Sequence, residues 1–250
     1  MNPIVLIPAR MAATRLPNKP LADIGGTPMI VRVLNQALAA GVGPVAVAAG
    51  DREIVEAVQA AGGVAVLTDP DLPSGSDRIL AALAQLDPGF EHDVVINLQG
   101  DMPFVDPAVL SDCARILKEF EDADIATVVA PEASIADRGN PDVVKAVLAM
   151  EDDGRSGRAL YFTRSTLYGD GPVWRHIGLY GYRREALVVF NDAAPSALEK
   201  REKLEQLRVL ENGMQIRVIE AAALPGPAVD TEQELALVRS LKGRELGQGA

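Results

Sequence analysis

Short apolar runs alternate with amphipathic stretches along most of the chain. Continuous runs of aliphatic, often β-branched residues predict buried strands at 4–7, 45–48, 64–67, 93–98, 124–129 and 216–219. The stretches between them place apolar residues at helical spacing and predict helices over 28–40, 52–61, 76–86, 107–120 and 196–210. This order of elements predicts an α/β fold with three layers, in which helices cover a mainly parallel, twisted, Rossmann-like sheet.

Polar residues mark the starts of several of these helices. Thr27 precedes the first predicted helix and is a suitable N-cap. Ser196 with Glu199, and Thr231 with Glu234, have the spacing of a capping box. The helix over 196–210 and the last helix of the chain are therefore expected to begin at these two pairs.

The regular alternation changes between residues 131 and 174. Two strands are predicted there, one that the segment 140–145 enters and that ends near Met150, and one at 158–164. The acidic turn 151–154 joins them into a hairpin. We interpret the chain as a single domain over 1–250 with an inserted subdomain at about 131–174. This small β-rich excursion is also the predicted dimer surface.

Composition narrows the classes of function and the compartment. The chain has 35 Asp and Glu against 24 Lys and Arg, a net charge of -11, which argues against nonspecific nucleic-acid binding. One cysteine, Cys113, excludes an internal disulfide, and its position in a predicted helix indicates a buried apolar role. No signal-peptide pattern and no bilayer-length apolar run is present, so we expect a cytoplasmic protein without a membrane partner.

The loop after the first predicted strand reverses the overall sign of the charge. It carries Arg10, Arg15 and Lys19 and no acidic residue. Pro17 and Pro20 flank Lys19 and stiffen the loop by fixing φ. Cations and small residues at the end of a strand suit a triphosphate, although a solvated basic loop would have the same composition. Neither a Walker loop nor a dinucleotide-binding fingerprint occurs.

Two further loops are predicted at the same edge of the sheet. Ser74 and Gly75 open a helix that contains Arg78, and this stretch is either a helix entry alone or also a pocket wall. Gly100 and Asp101 follow a predicted strand, where Gly100 permits an unusual backbone conformation and Asp101 projects toward a ligand. A tight turn would also explain this pair.

Six motifs together resemble one family. They are IPAR-x-x-x-TRLP-x-KPL from Ile7, SGSDR from Ser74, QGD-x-P from Gln99, HIGLYGY from His176, LEQLR from Leu204 and VDT from Val229. The set is similar to the 3-deoxy-manno-octulosonate cytidylyltransferases, which are sugar-activating nucleotidyltransferases. The resemblance implies a nucleotide-diphospho-sugar transferase-like fold. It also implies transfer of CMP from CTP to 3-deoxy-D-manno-octulosonate (Kdo), with release of pyrophosphate, for lipopolysaccharide biosynthesis.

The resemblance also implies roles for particular residues, a Mg²⁺ cofactor and a homodimer. The implied nucleotide-binding residues are Pro8, Ala9, Arg10, Arg15, Lys19, Ser74, Gly75, Arg78, Gln99, Gly100 and Asp101. The implied sugar-binding residues are Arg164, His176, Tyr180, Glu205 and Gln206. The implied catalytic residues are Arg10, Lys19, Asp101 and Asp230, of which Asp101 and Asp230 would hold the metal. Mg²⁺ is commonly held by one or two carboxylates together with phosphate oxygens and water.

The sugar-binding interpretation has a simple alternative at His176. In a strand, His176 and Tyr180 lie on one face, where they can hydrogen-bond a polyol and pair with its carboxylate. A histidine beside apolar residues can also be a satisfied core group. The chain departs from the family form at Thr166-Leu167-Tyr168, where the family has a proline two residues after the threonine.

Two other functions compete with this interpretation. A related nucleotidyltransferase could act on another sugar acid such as sialic acid, but the TRLP-x-KPL and HIGLYGY motifs argue against it. A nucleotide-binding regulator could keep the fold without turnover. Such a regulator would be expected to lose a phosphate-binding cation or a metal carboxylate, and this chain retains all of them.

Overall fold

A computed structural model describes residues 1–12, 15–131, 134–221 and 226–247, with side chains described as far as residue 241. Thr14, which begins the TRLP motif, lies outside the described residues. The strands are β1 (Pro3–Ala9), β2 (Val45–Ala49), β3 (Ala65–Leu67), β4 (Val94–Asn97), β5 (Ile125–Pro131), β6 (Lys145–Met150), β7 (Ser156–Thr163), β8 (Trp174–Arg183) and β9 (Ile216–Glu220). The helices are α1 (Met29–Ala40), α2 (Arg52–Ala60), α3 (Gly75–Leu86), α4 (Pro107–Glu119), α5 (Arg184–Asp192), α6 (Ala197–Glu202), α7 (Gln206–Glu211) and α8 (Glu232–Gly247). Short 3₁₀ turns lie at Lys19–Leu21 and Ile135–Arg138.

The chain divides into two compact units, each assembled from separate segments. The first unit contains Ile4–Glu91, Asn97–Pro107 and Pro225–Ala250. The second unit contains Met1–Pro3, His92–Ile96 and Ala108–Leu224. The single domain with an insertion at 131–174 stays a prediction.

Parallel strands in the order β3-β2-β1 form the sheet of the first unit. From Ile4 to Ala9 every residue of β1 is buried, as a run of aliphatic residues predicts. Because β1 and β2 are parallel and pair Ala9 with Ala49, the loops that follow them begin at the same edge. This edge carries the basic loop.

The start of α1 corrects one prediction. The N-cap of α1 is Pro28, and no side chain caps the helix, so the assignment of Thr27 was wrong. The backbone N–H of Met29 instead donates to the carbonyl of Ala22 at 2.9 Å, so the preceding loop satisfies the first helical donor. Tertiary contact replaces the local cap that the sequence suggested.

Antiparallel pairing prevails in the second unit, where the strand order is β4-β8-β5-β9-β7-β6. Only β5 and β9 form a parallel pair among the pairings described in register there. β6 and β7 form the predicted hairpin, which is therefore confirmed. The hairpin also pairs with β8 and β9, so within this unit it extends the sheet. The expectation of a mainly parallel sheet does not describe this unit, because the long strand β8 runs antiparallel to β5.

The predicted helix over 196–210 is two helices. Ser196 and Glu199 form the predicted capping box at the start of α6. Lys203 then has φ of 57°, in the left-handed region, and ends that helix. The periodic apolar pattern does not reveal this break, because Leu198 before it is half-buried and Leu204 and Leu207 after it are buried. The break places Gln206 at the start of α7.

The remaining sequence expectations concern Cys113 and the membrane. Cys113 is fully buried in α4, and burial raises the pKa of its thiol, so the predicted apolar role is confirmed. Within the part of the chain that the structure describes, no helix combines the length and the apolar character needed to cross a bilayer.

Candidate active site

The basic loop leaves the sheet at the end of β1. Pro8 and Ala9 are buried, whereas the side chain of Arg10 is exposed. The backbone N–H of Met11 donates to a carboxylate oxygen of Asp51 at 2.7 Å, and the N–H of Gly50 donates to the carbonyl of Ala9 at 2.8 Å. These two bonds fix the start of the loop against the segment that follows β2.

Two glycines allow other segments to pack closely against Pro8. A Cβ added to Gly100 would lie 2.9 Å from the carbonyl oxygen of Pro8, and one added to Gly75 would lie 3.3 Å from its ring. Gly100 is not among the described glycines with positive φ, so the predicted unusual backbone conformation was wrong. Glycine is needed at both positions because the backbone passes close to Pro8, and this close packing determines how wide the site is.

Ser74 begins α3 as its N-cap, and its hydroxyl accepts a hydrogen bond from the N–H of Asp77 at 3.1 Å. This confirms the helix-entry interpretation of the Ser74–Gly75 stretch. The same residues also line the cavity described below, so a helix start and a pocket wall coincide.

Arg78 is almost fully buried, and its described hydrogen bonds are to the preceding loop. The guanidinium donates to the hydroxyl of Thr68 at 2.7 Å and to the carbonyls of Asp69 and Pro70 at 3.0 and 3.2 Å. Burial, with the nearby charge of Arg10, lowers the pKa of Arg78. Arg78 therefore holds the shape of the 68–70 loop, a role that the sequence motif did not indicate.

Lys19 joins the two carboxylates that the sequence placed 129 positions apart, Asp101 and Asp230. Its ammonium donates to Asp101 at 3.0 Å and to Asp230 at 2.9 Å. Arg15 donates to the second oxygen of Asp230, also at 2.9 Å. We call Lys19, Asp101 and Asp230 the lysine–carboxylate cluster.

Apolar packing and backbone contacts assemble this cluster. Leu16, between Arg15 and Lys19, belongs to a buried apolar group that also contains Val229, the neighbour of Asp230. The N–H of Val229 donates to the carbonyl of Asp101 at 2.9 Å. Burial of Leu16 and Val229 thus brings the cations and the two carboxylates together.

The predicted capping box at Thr231 and Glu234 orients Asp230. The carboxylate of Glu234 accepts hydrogen bonds from the N–H groups of Asp230 and Thr231, each at 2.9 Å. The N–H of Glu234 donates to the hydroxyl of Thr231 at 3.3 Å. The expectation that Asp230 aids a helix start is therefore compatible with a second role, because its own side chain bonds to Lys19 and Arg15.

The three titratable groups of the cluster perturb one another. Burial acts against the charged form of Lys19, but the charge of Asp101 and the bonds to both carboxylates outweigh it and raise the pKa of Lys19. Burial also raises the pKa of Asp101, more than the ammonium lowers it. Burial opposes the charge of Asp230 as well, but Lys19 and Arg15 outweigh it and lower the pKa of that carboxyl. Lys19 is thus held fully charged at neutral pH.

One cavity of about 350 Å³, within the first unit, is lined by Arg15 and by the lysine–carboxylate cluster. Its wall includes the eleven residues that the sequence predicted for nucleotide binding, together with Asp230. Sequence reasoning missed four residues of the wall, which are Ala12, Leu16, Pro20 and Leu72. Three of them belong to the basic loop and the fourth precedes the Ser74 motif, so proximity to these motifs could have identified them.

The lysine–carboxylate cluster fits the ligand chemistry of Mg²⁺. The distances to Lys19 put an oxygen of Asp101 and an oxygen of Asp230 no more than about 6 Å apart. No cluster of three or more His, Cys, Asp or Glu suited to a metal occurs among the residues whose placement is described. Two carboxylates suffice for Mg²⁺ when phosphate oxygens and water complete its coordination.

The predicted sugar-binding residues belong to the second unit. The rings of His176 and Tyr180 lie 5.3 Å apart, which confirms that the two side chains are neighbours despite a bulge in β8. Burial raises the pKa of Tyr180, and the neighbouring charges of Tyr182 and Glu205 add to this effect. We call His176, Tyr180, Glu205 and Gln206 the second-unit polar group.

Burial lowers the pKa of His176 to about 3, so the ring is neutral at physiological pH. A neutral ring can hydrogen-bond a hydroxyl of a polyol, and the predicted role of His176 in binding the sugar acid stays a prediction. Arg164, the remaining predicted sugar-binding residue, forms its described hydrogen bonds with residues outside the second-unit polar group. Its guanidinium donates to the carbonyl of Pro141 at 3.0 Å, and its N–H donates to Glu202 at 3.1 Å.

Gln206 is buried and carries a donor without a partner. The side chain amide nitrogen is one of two buried side chain atoms that lack a hydrogen-bond partner in the described part of the chain. An unpaired buried donor costs roughly 1–3 kcal/mol, so it usually has an explanation. A ligand that accepts this hydrogen bond would supply one.

Known proteins match the chain over nearly its full length. A family model described as "Cytidylyltransferase" matches residues 4–216. The 3-deoxy-manno-octulosonate cytidylyltransferase of Parvibaculum lavamentivorans is 54% identical over 244 residues, 97% of this chain and 93% of the relative. The protein of the same description from Bradyrhizobium sp. is 55% identical over 241 residues, 95% of this chain and 96% of the relative.

Solved structures agree with these relatives. A structure of CMP:2-keto-3-deoxy-manno-octonic acid synthetase complexed with CTP has a TM-score of 0.90 and 37% identity, and covers 98% of this chain and 100% of the other. The 4-diphosphocytidyl-2C-methyl-D-erythritol synthase of Anaerococcus prevotii has a TM-score of 0.66 and 10% identity over 97% and 99% of the two chains, a likeness of fold alone. Both support a nucleotidyltransferase-like α/β fold. This chain belongs to the family of the 3-deoxy-manno-octulosonate cytidylyltransferases.

Proposed function

We propose that this chain transfers CMP from CTP to Kdo, forming CMP-Kdo and pyrophosphate for lipopolysaccharide biosynthesis. The anomeric hydroxyl oxygen of the sugar bonds to the α-phosphorus of CTP. The bond between that phosphorus and the bridging oxygen of the pyrophosphate breaks, and the hydroxyl proton is released. Curated relatives of the same description, at 54% and 55% identity across nearly the whole chain, support this reaction.

The cavity of the first unit carries the proposal. It gathers the predicted nucleotide-binding residues, including the cations Arg10, Arg15 and Lys19, in a chain of net charge -11. A triphosphate and a sugar carboxylate repel each other by roughly 4 kcal/mol for each pair of unit charges about 4 Å apart at an effective dielectric near 20. The three cations offset this repulsion and stabilise the negative charge that develops on the departing pyrophosphate.

Asp101 and Asp230 would hold Mg²⁺ in this reaction. Bound there, the ion would neutralise phosphate charge and lower the pKa of the attacking hydroxyl. Lys19 keeps the two carboxylates side by side, which prepares the pair for a cation. The fit of two hard oxygen donors, brought together by one ammonium, supports Mg²⁺ as the cofactor.

The second-unit polar group and Arg164 would bind the sugar acid. Gln206 offers a buried donor that lacks a partner, Tyr180 keeps its hydroxyl proton, and Arg164 carries the positive charge that suits a carboxylate. Neutral His176 contributes a hydrogen bond to a hydroxyl. The homodimer and the cytoplasmic location stay predictions, as does the dimer surface at 131–174.

Release of pyrophosphate from CTP tests the function directly. The purified chain would be assayed with Mg²⁺ and a panel of sugar acids that includes Kdo, an amino-substituted analogue of it and sialic acid. We expect release with Kdo and far less with sialic acid. Turnover with sialic acid instead would change the acceptor, whereas tight CTP binding without turnover on any sugar acid would favour the nucleotide-binding regulator.

A further inference from the structure

Thr127 makes an unusual set of contacts with the strand that carries His176. Thr127 is fully buried in β5, at the point where the register with β8 shifts. Its hydroxyl lies 2.7 Å from the carbonyl oxygen of Leu179, 3.3 Å from that of Ile177 and 2.9 Å from Nε2 of His176. Nothing in the sequence motif around His176 indicates a contact with Thr127.

The Thr127 hydroxyl has a single proton, which determines in which of these contacts it donates and in which it accepts. A carbonyl oxygen only accepts, so the hydroxyl proton is directed to Leu179, with Ile177 as the longer second acceptor. The hydroxyl can then meet Nε2 of His176 only through a lone pair. Nε2 must therefore carry a hydrogen and donate it.

The neutral ring of His176 carries a hydrogen on only one of its two nitrogens. It packs between the rings of Phe162 and Tyr180, at 5.0 and 5.3 Å. Burial lowers its pKa to about 3, so it is neutral at physiological pH and its two nitrogens differ. With the hydrogen on Nε2, Nδ1 is left with a lone pair and no partner among the residues that the structure describes.

We propose that Thr127 is a positioning residue, which fixes His176 as the Nε2–H tautomer so that Nδ1 accepts a hydrogen bond from a hydroxyl of the sugar substrate. The sugar part of this proposal rests on the proposed function. The tautomer itself does not depend on any activity. Thr127 touches no substrate and acts through the ring that it orients.

Nitrogen NMR of the histidine rings tests the tautomer. The chain has only two histidines, His92 and His176, so selective ¹⁵N labelling gives few signals. His92 is an internal reference, because its Nδ1 lies 3.2 Å from the carbonyl oxygen of Asn2 and must donate to it. At alkaline pH we expect opposite tautomers, Nδ1–H at His92 and Nε2–H at His176. An Nδ1–H ring or a rapidly exchanging ring at His176 would overturn the proposal.

Two substitutions of Thr127 test its positioning role. Thr127→Val keeps the shape and removes the hydroxyl, whereas Thr127→Ser keeps the hydroxyl and removes the methyl. We expect Thr127→Val to lose the single Nε2–H form and to raise KM for Kdo about tenfold, the effect of one lost hydrogen bond, with KM for CTP unchanged. Thr127→Ser should keep the single Nε2–H form and the wild-type KM for Kdo. Equal losses for the two variants, or a rise in KM for CTP alone, would assign Thr127 to strand packing.

Addition of Kdo without CTP tests what Nδ1 binds. We expect the ¹⁵N signal of Nδ1 to shift in the direction of an accepted hydrogen bond while Nε2–H is kept. If Kdo instead protonated the ring at both nitrogens, the histidine would be pairing with the carboxylate and the acceptor role would be wrong. A wild-type ring in the Nε2–H form together with no response to any sugar acid would leave the tautomer established and would refute the assignment to sugar.

Discussion

The lysine–carboxylate cluster of the first unit and the polar group of the second unit prepare for ligands in different ways. In the first, each charged side chain already has a partner, because Lys19 bridges Asp101 and Asp230. In the second, His176 and Tyr180 are neutral, and Gln206 keeps a buried donor without a partner. Glu205, the carboxylate of this group, is exposed. The charges of the first cluster are stabilised by one another, whereas an unpaired buried amide costs the second group only a few kcal/mol.

This difference predicts which substitutions will have the largest effects on activity and stability. Loss of a charge from the lysine–carboxylate cluster removes both a partner within the cluster and a proposed ligand contact. Loss of the Gln206 amide removes a proposed ligand contact and also a buried donor that has no partner.

The carboxylates should give the largest effect. We expect Asp101→Asn and Asp230→Asn each to lower kcat by several orders of magnitude, since each removes a charge from the proposed metal site. The double variant should be little worse than either alone, because loss of one ligand already disables the ion. Pyrophosphate release with varied Mg²⁺, after chelation and restoration, measures these effects. Asp152→Asn, at the exposed turn between β6 and β7, is the control; activity that survives chelation would refute the metal.

The cations should come next. We expect Lys19→Ala and Arg10→Ala each to lower kcat/KM for CTP about a hundredfold, as a lost charge-assisted contact of a few kcal/mol would. Lys19→Ala should also lower Tm, because it leaves two neighbouring carboxylates without their ammonium. Arg10 is exposed and has no carboxylate partner among the residues that the structure describes, so Arg10→Ala should leave Tm unchanged. Lys118→Ala, an exposed cation outside the cavity, is the matched control; wild-type kinetics in both variants would contradict the loop assignment.

Gln206 should separate binding from stability. Gln206→Leu should raise KM for Kdo about tenfold through one lost hydrogen bond, and should leave KM for CTP unchanged. Because the substitution removes a buried unpaired donor, the free energy of unfolding in urea should stay the same or increase. Asn191→Leu removes the other buried atom without a partner and should leave both KM values unchanged. A large destabilisation by Gln206→Leu with normal kinetics would make Gln206 a structural residue.

The smallest effect concerns the ion pair across the helix break. Arg208 binds Glu199 through two hydrogen bonds, at 2.6 and 2.8 Å, and so ties α7 to α6. These bonds lower the pKa of Glu199 even though burial opposes them. Glu199→Gln should reduce the free energy of unfolding by about 1–3 kcal/mol at neutral pH and raise KM for Kdo a few-fold by loosening Gln206.

The pH dependence of this ion pair has a definite sign. Because the folded pKa of Glu199 is depressed, its stabilisation is complete above the ordinary glutamate pKa of about 4.3 and is lost as the pH falls through the folded value. The difference in unfolding free energy between wild type and Glu199→Gln should therefore shrink with acid. Urea denaturation of both chains between neutral and acidic pH measures it; a difference independent of pH would show that the carboxylate charge contributes nothing.

Local patterns predicted the parts of this protein that depend on neighbouring residues. The buried run of β1, the hairpin of β6 and β7 and the capping boxes at Ser196 and Thr231 each involve residues close in sequence. The prediction failed at Thr27 and at the helix over 196–210, where loop contacts and a left-handed Lys203 override the apolar period. Helix propensity is a weak guide once tertiary contacts compete with it.

Residue types and their spacing already indicate the available chemistry: three cations in one loop, carboxylates at Asp101 and Asp230, and a strand carrying His176 and Tyr180. How these groups act depends on contacts that form only in the folded chain. Packing of Leu16 with Val229 brings Lys19 to both carboxylates. Burial makes His176 neutral, and Arg78 hydrogen-bonds to the loop over 68–70. The physical reason is that charge state, hydrogen-bond partners and burial depend on residues that are distant in sequence and meet only in the folded chain.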